Sequence, residues 1–191
     1  MGIRSFLAFE LPPEIREKIG EVSIELQKLT LPVRWVKVTN IHLTIIFLGY
    51  VDEDKIDDIK EKVNLVVKRF SIFKTRLNGI GVFPNWRKPR VIWIGLGEEI
   101  ERLSTLREEL QTGLKVLGFK PEKRPFAPHL TIGRFKGLLD RDEELKSILD
   151  RYHDLSGDLQ YLNELVLFKS DLKPDGPVYT KMASWQLRVE K

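Results

Sequence analysis

The stretch His42-Leu43-Thr44-Ile45-Ile46-Phe47-Leu48-Gly49 decides how this chain is read, because its first four residues return as His129-Leu130-Thr131-Ile132. In an extended strand residues two apart share a face, so His42 and Thr44 point one way while Leu43 and Ile45 point the other. His129 and Thr131 behave alike, with Leu130 and Ile132 behind them. The aliphatic residues can pack beneath helices and hold each strand in place, which leaves imidazole and hydroxyl aimed into a cleft. Only three histidines and 8 threonines occur among 191 residues. A Thr two places after two of those three His arises by chance in about one sequence in two hundred.

Outward from the repeat, Ile3–Glu10 reads as a strand closed by Pro12 and Pro13, and residues 14–29 show helical spacing through Ile15, Ile19, Val22, Leu26 and Leu29. Residues 33–38 read as a short strand, and 41–48 as the first repeat strand, ended by Gly49. Asp52 is placed to cap a helix that runs to Arg69. Strands over 72–82 and 90–96 flank the turn-rich residues 84–89, and a helix over 98–117 is closed by Gly118. The second repeat strand, over 129–135, is followed by a helix over 140–152 and by strands over 159–169 and 178–189. Strands adjacent in sequence favour antiparallel pairing, while helices intervene as crossovers. The expected fold is α+β: a bilobal, pseudo-twofold sandwich with antiparallel sheets lining a central cleft and helices outside. No proline- or glycine-rich linker divides the chain, so residues 1–191 are expected to form a single domain of two related lobes.

Histidine has an unperturbed pKa of about 6.5 and can give or take a proton near neutral pH, so two placed alike suggest an acid and a base in one site. Phosphoryl chemistry needs that pair: one group activates the attacking oxygen, and the other protonates the leaving oxygen across phosphorus. Thr hydroxyls between them can donate to the non-bridging oxygens. Two His without Cys leave a zinc shell incomplete, so neither metal nor cofactor is expected. A lone His in an apolar strand is ordinarily a packed core residue; duplication with Thr in register argues against that here. His153 has no companion Thr and reads as a helix-end residue.

Composition narrows the setting. The chain carries 32 basic and 28 acidic residues for a net charge of +4, interleaved along helices as in a solvated surface rather than concentrated as in a histone-like nucleic-acid binder. With no Cys, thiolate chemistry is excluded and a reducing compartment is favoured. The opening residues lack the apolar run of a signal peptide, and nowhere do about eighteen apolar residues follow one another. A soluble, cytoplasmic, monomeric protein without membrane contact is expected.

The repeat with its flanks, His42 to Gly49 and Pro128-His-Leu-Thr-Ile-Gly-Arg134, resembles the two-histidine phosphoesterase superfamily. Within it, the similarity is to the RNA 2′,3′-cyclic phosphodiesterases historically called 2′-5′ RNA ligases. The opening Arg4-Ser-Phe-Leu-Ala-Phe-Glu-Leu-Pro12 and the late Leu167-Phe-Lys-Ser-Asp-Leu-Lys-Pro-Asp-Gly-Pro-Val-Tyr179 look like this family too. Ile45 and Ile132 stand where the family often has Leu, and Gly133 where it often has Ala. The resemblance implies metal-independent opening of a 2′,3′-cyclic phosphate at an RNA end, such as that of a tRNA fragment, to a 2′-phosphate. His42 would be the proton donor and His129 the proton acceptor, with Thr44, Thr131 and Arg134 binding substrate. On an ideal strand Arg134 falls on the face of Leu130 and Ile132, and it reaches the cleft only where a bulge or bend near Gly133 re-aims it. Two alternatives share these residues: 2′-5′ joining of RNA with a 5′ hydroxyl in place of water, and a non-catalytic module that grips RNA phosphate.

Overall fold

The computed structural model describes residues 2–137 and 142–189. In chain order the elements are β1 (Ile3–Glu10), α1 (Pro13–Gln27), β2 (Val33–Trp35), β3 (His42–Val51), α2 (Ile56–Val67), β4 (Phe73–Phe83) and β5 (Val91–Gly97). They continue as α3 (Ile100–Lys115), β6 (His129–Phe135), α4 (Asp142–Arg151), β7 (Gln160–Leu162), β8 (Glu164–Lys173) and β9 (Gly176–Gln186). The strands form two sheets, a four-stranded one in the order β3-β1-β8-β9 and a five-stranded one in the order β2-β6-β5-β4-β7. Every strand pairing in both is antiparallel. The α+β architecture expected from the residues is the one observed. No described helix is long and apolar enough to cross a membrane.

Each helix is apolar along one stripe, and that stripe faces the sheets. Ile15, Ile19, Val22 and Leu26 of α1, Ile59, Val63 and Val66 of α2, and Leu103, Leu106, Leu110 and Leu114 of α3 join one cluster. Leu43, Ile45, Leu130 and Ile132 belong to it as well. Leu43, Leu130 and Ile132 are fully buried, and each such side chain contributes about 1.5–3 kcal/mol by leaving water. The repeated Leu and Ile are therefore the packed backing of both His strands. A second, smaller cluster of Phe6, Ala8, Val166 and Phe168 covers the opposite face of the four-stranded sheet.

Several boundaries differ from the sequence reading, each for a local reason. The strand over 33–38 is only Val33–Trp35, because Val38–Asn40 closes into a 3₁₀ turn. Gly49 does not end β3; with φ of 74° it absorbs an irregularity, and the strand continues to Val51. Asp52 makes no side-chain cap, and a 3₁₀ turn over Glu53–Lys55 leads into α2 instead. The helix over 98–117 begins later, since Glu98 and Glu99 take positive φ. The strand over 159–169 is two strands: β7 joins the five-stranded sheet and β8 the four-stranded one, with Asn163 between them. Of the helix over 140–152, residues 140 and 141 lie outside the described residues. Neither sheet is built from one half of the chain. β2 crosses to the second sheet early, and β8 and β9 return to the first at the end.

Candidate active site

The two His strands lie in different sheets and approach each other to within 8 Å between Cα atoms. Each opens with its histidine, and each histidine is tethered in the same way. The Nδ1–H of His42 donates to the carbonyl of Asn40 at 2.8 Å, and that of His129 to the carbonyl of Ala127 at 2.8 Å. A carbonyl oxygen can only accept, so Nδ1 carries a proton in both rings and Nε2 is the atom left to take a proton or, in the charged ring, to give one. The tether fixes tautomer and ring orientation together. Asn40 is itself anchored, its side-chain amide donating to the Pro177 carbonyl at 2.9 Å, so β9 helps to place His42.

The rings sit on aromatic walls. His42 stacks on Phe6 with centroids 4.7 Å apart and meets Tyr179 edge-on at 5.2 Å. Phe83 lies edge-on to His129 at 5.0 Å, with Trp93 at 6.4 Å. Burial against this wall pushes the pKa of His42 below 6.5, opposed in part by the Asn40 carbonyl, which favours the protonated ring. Thr44 and Thr131 are half-buried, and neither hydroxyl has a hydrogen-bonding protein partner among the described residues.

Both repeats end in a bulge. Along β3, Thr44 pairs with Ala8 and Ile46 with Leu7, leaving Ile45 unopposed. Along β6, Thr131 pairs with Trp93 and Gly133 with Ile92, leaving Ile132 unopposed. One extra residue reverses the alternation beyond it. Accordingly Ile45 and Ile46 are both buried, as are Ile132 and Gly133, while the next residues, Phe47 and Arg134, are exposed. Phe47 stacks with the same Phe6 ring that carries His42, so it lies on the His side. Arg134 holds the matching place on β6, and its charge acts on Tyr179, the ring edge-on to His42. The bulge that Arg134 requires is present, one residue before Gly133. A Cβ on Gly133 would lie 2.4 Å from Val33 Cγ1 and 3.1 Å from Trp35 Cε3, so β2 closes over the bulge too tightly for the alanine that the family often has at this place.

Three residues of the same face escaped the sequence reading. Tyr179 is raised above its usual pKa by burial, and the charges of Arg4 and Arg134 pull it back. Arg4 donates to Ser170 Oγ at 2.8 Å and lies 4.5 Å over the Phe47 ring. Phe6 supports His42. The signal was present in the alternation Arg4, Phe6, Ala8 against Ser5, Leu7, Phe9, but both sets contain large apolar residues and neither declares which faces the cleft. His153 is exposed, beside Asp154 and past the end of α4. Among the described residues no three His, Cys, Asp or Glu side chains gather as a metal site.

A family model described as the 2′-5′ RNA ligase superfamily matches residues 8–172. Among similar curated proteins, the RNA 2′,3′-cyclic phosphodiesterase of Methanothermobacter thermautotrophicus is 34% identical over 98% of this chain and 100% of its own length. That of Methanocaldococcus jannaschii is 37% identical over 96% and 100%. Among solved structures, TT0787 of Thermus thermophilus superposes with a TM-score of 0.82 at 28% identity, covering 99% of this chain and 100% of that one. E. coli LigT complexed with 3′-AMP shares the fold, with a TM-score of 0.77 at 24% identity over 98% and 99% of the two chains. With tethered histidines on facing strands and matches spanning nearly its whole length, the chain belongs to the 2′-5′ RNA ligase superfamily.

Proposed function

We propose that this protein hydrolyses 2′,3′-cyclic phosphodiester ends of RNA to 2′-phosphomonoesters, without metal, by acid–base catalysis between two histidines. The observation that carries this reading is the matched pair of Nδ1 tethers, which leaves an Nε2 free on each of two neighbouring strands. His129 takes a proton from water as the water oxygen bonds to phosphorus. The bond from phosphorus to O3′ breaks, and His42 delivers its proton to that oxygen, leaving a 2′-phosphate and a 3′ hydroxyl. Thr44, Thr131 and Arg134 donate to the phosphate oxygens, where charge grows in the transition state. Support comes also from the names of the two relatives above, both RNA 2′,3′-cyclic phosphodiesterases. Joining to a 5′ hydroxyl is the same sequence of steps with a different nucleophile.

The test is a short RNA bearing a terminal 2′,3′-cyclic phosphate, incubated with the protein in excess EDTA. A 2′-phosphate product is expected. No product, or activity restored only by added metal, would sink the proposal.

The pKa of His42 is lowered by burial, and its protonated form is lost as pH rises through a value below 6.5. One limb of the kcat/KM profile is therefore expected below 6.5; a profile flat on that side of 6.5 would contradict a proton-transferring His42.

Arg134 is expected to matter through charge-assisted hydrogen bonds, each contributing about 1.5–3 kcal/mol. Arg134→Ala should therefore lower kcat/KM roughly 10- to 100-fold, and Arg134→Lys should recover only part of it, because an ammonium lacks the guanidinium fork. Unchanged kinetics in Arg134→Ala would mean that the β6 bulge serves packing alone.

A further inference from the structure

β3 carries a second bulge beyond the first. Phe47 pairs with Phe6 and Gly49 with Ser5, leaving Leu48 unopposed, and Gly49 takes up φ of 74°. The alternation is thus reversed twice. Leu43, Ile45, Ile46 and Leu48 are buried, and the cleft side of the strand reads His42, Thr44, Phe47, Tyr50. Tyr50 stands opposite Arg4, whose guanidinium covers Phe47 from 4.5 Å. Phe47 is 51% exposed and Tyr50 73%. The two rings lie in line with the candidate catalytic histidine, and the core does not use them. Arg4 and Tyr50 line a single cavity of about 340 Å³ with Ser170 and Leu172.

We propose that this side of β3 is a track for the single-stranded RNA that precedes the terminal cyclic phosphate, with nucleobases against Phe47 and Tyr50 and backbone phosphate against Arg4. The proposal rests on the activity proposed above. Aromatic rings bind unpaired bases irrespective of sequence, because every base has a π face, and an interleaved arginine supplies both a stacking plane and a charge for phosphate. The cavity is lined also by Glu53 and by Asp171, which pairs with Lys169 of the same lining at 3.3 Å. Its charges are of both signs and in part already paired, so the cavity takes the base and the backbone keeps to the Arg4 side. Thr44 to Tyr50 spans six residues, at most about 20 Å of strand, enough for the track to reach past the nucleotide being cleaved. Continuity with His42 and Thr44, and the match of charge, favour RNA over a protein partner as occupant.

The experiment compares kcat/KM for a trinucleotide ending in 2′,3′-cyclic phosphate with that for 2′,3′-cyclic AMP, in wild type, Phe47→Ala and Tyr50→Ala. Wild type should prefer the trinucleotide by roughly tenfold or more, and each substitution should cut that preference several-fold, the scale expected for loss of one stacked base. Both side chains are surface groups, and thermal unfolding confirms that each variant is folded. Equal use of the two substrates by wild type, or a preference that survives in both variants, overturns the track while leaving the activity standing; a protein-docking face would give that result. Hydrolysis of neither substrate overturns the activity, and the track with it.

Discussion

Replacing either His42 or His129 by alanine is expected to lower kcat by about 10²- to 10⁴-fold, the span that a positioned acid or base ordinarily contributes. In the proposed mechanism each histidine handles one proton, and the reaction needs both transfers. Removing the second after the first should therefore cost little more, as it does for groups that act as a unit. The fold should survive in each case. Both rings are half-buried on the cleft side, and each substitution removes one Nδ1 hydrogen bond to a main-chain carbonyl, worth about 0.5–1.5 kcal/mol. Single-turnover kinetics on cyclic-phosphate RNA, run beside thermal unfolding, separate the two effects. Near wild-type turnover in either variant would contradict paired catalysis.

The second large effect is structural and lies at Gly95. This residue pairs with His129 across β5 and β6, and a Cβ placed on it would stand 2.2 Å from the carbonyl oxygen of Asn78. That oxygen belongs to the main chain of β4, beside the irregularity between Leu77 and Ile80, so no rotamer change relieves the clash. Gly95→Ala is expected to cost about 3 kcal/mol, the upper end for overpacking, because β4 and β5 must part. Since β5 is the strand that aligns His129, kcat should fall by more than the loss of folded protein accounts for. Denaturant unfolding gives the first quantity, and activity per folded molecule the second. A variant within about 0.5 kcal/mol of wild type, the range of an ordinary surface change, would show that the strands are not held at this spacing.

Much of this was legible in the residues because the repeat states it twice. Alternation placed His42 with Thr44 and His129 with Thr131, and put Leu43 and Leu130 into the core, where both are fully buried. β1 and β6 have the bounds their residues suggest, Ile3–Glu10 and His129–Phe135. The bulges were not legible, since a bulge is a property of two paired strands and Ile45 or Ile132 looks like any strand isoleucine. Arg134 shows the consequence: ideal parity turned it away from the histidines, and one unopposed residue turns it back. The aromatic support of His42 was hidden for a different reason. In Phe6-Leu7-Ala8-Phe9 both faces are apolar, so the face that lines the cleft looks like the face that fills the core. The switch of sheets at Asn163 likewise leaves no mark on a run of residues that reads as one strand.

The central claim is that two imidazoles hold one phosphorus between them. A crystal structure of the protein with a nucleoside 2′-phosphate bound tests it most directly. His42 Nε2 and His129 Nε2 are each expected within hydrogen-bond distance of oxygens on opposite sides of that phosphorus, with Thr44 and Thr131 on the remaining oxygens. A phosphate held by one histidine alone, or seated elsewhere with both Nε2 atoms unengaged, would contradict it.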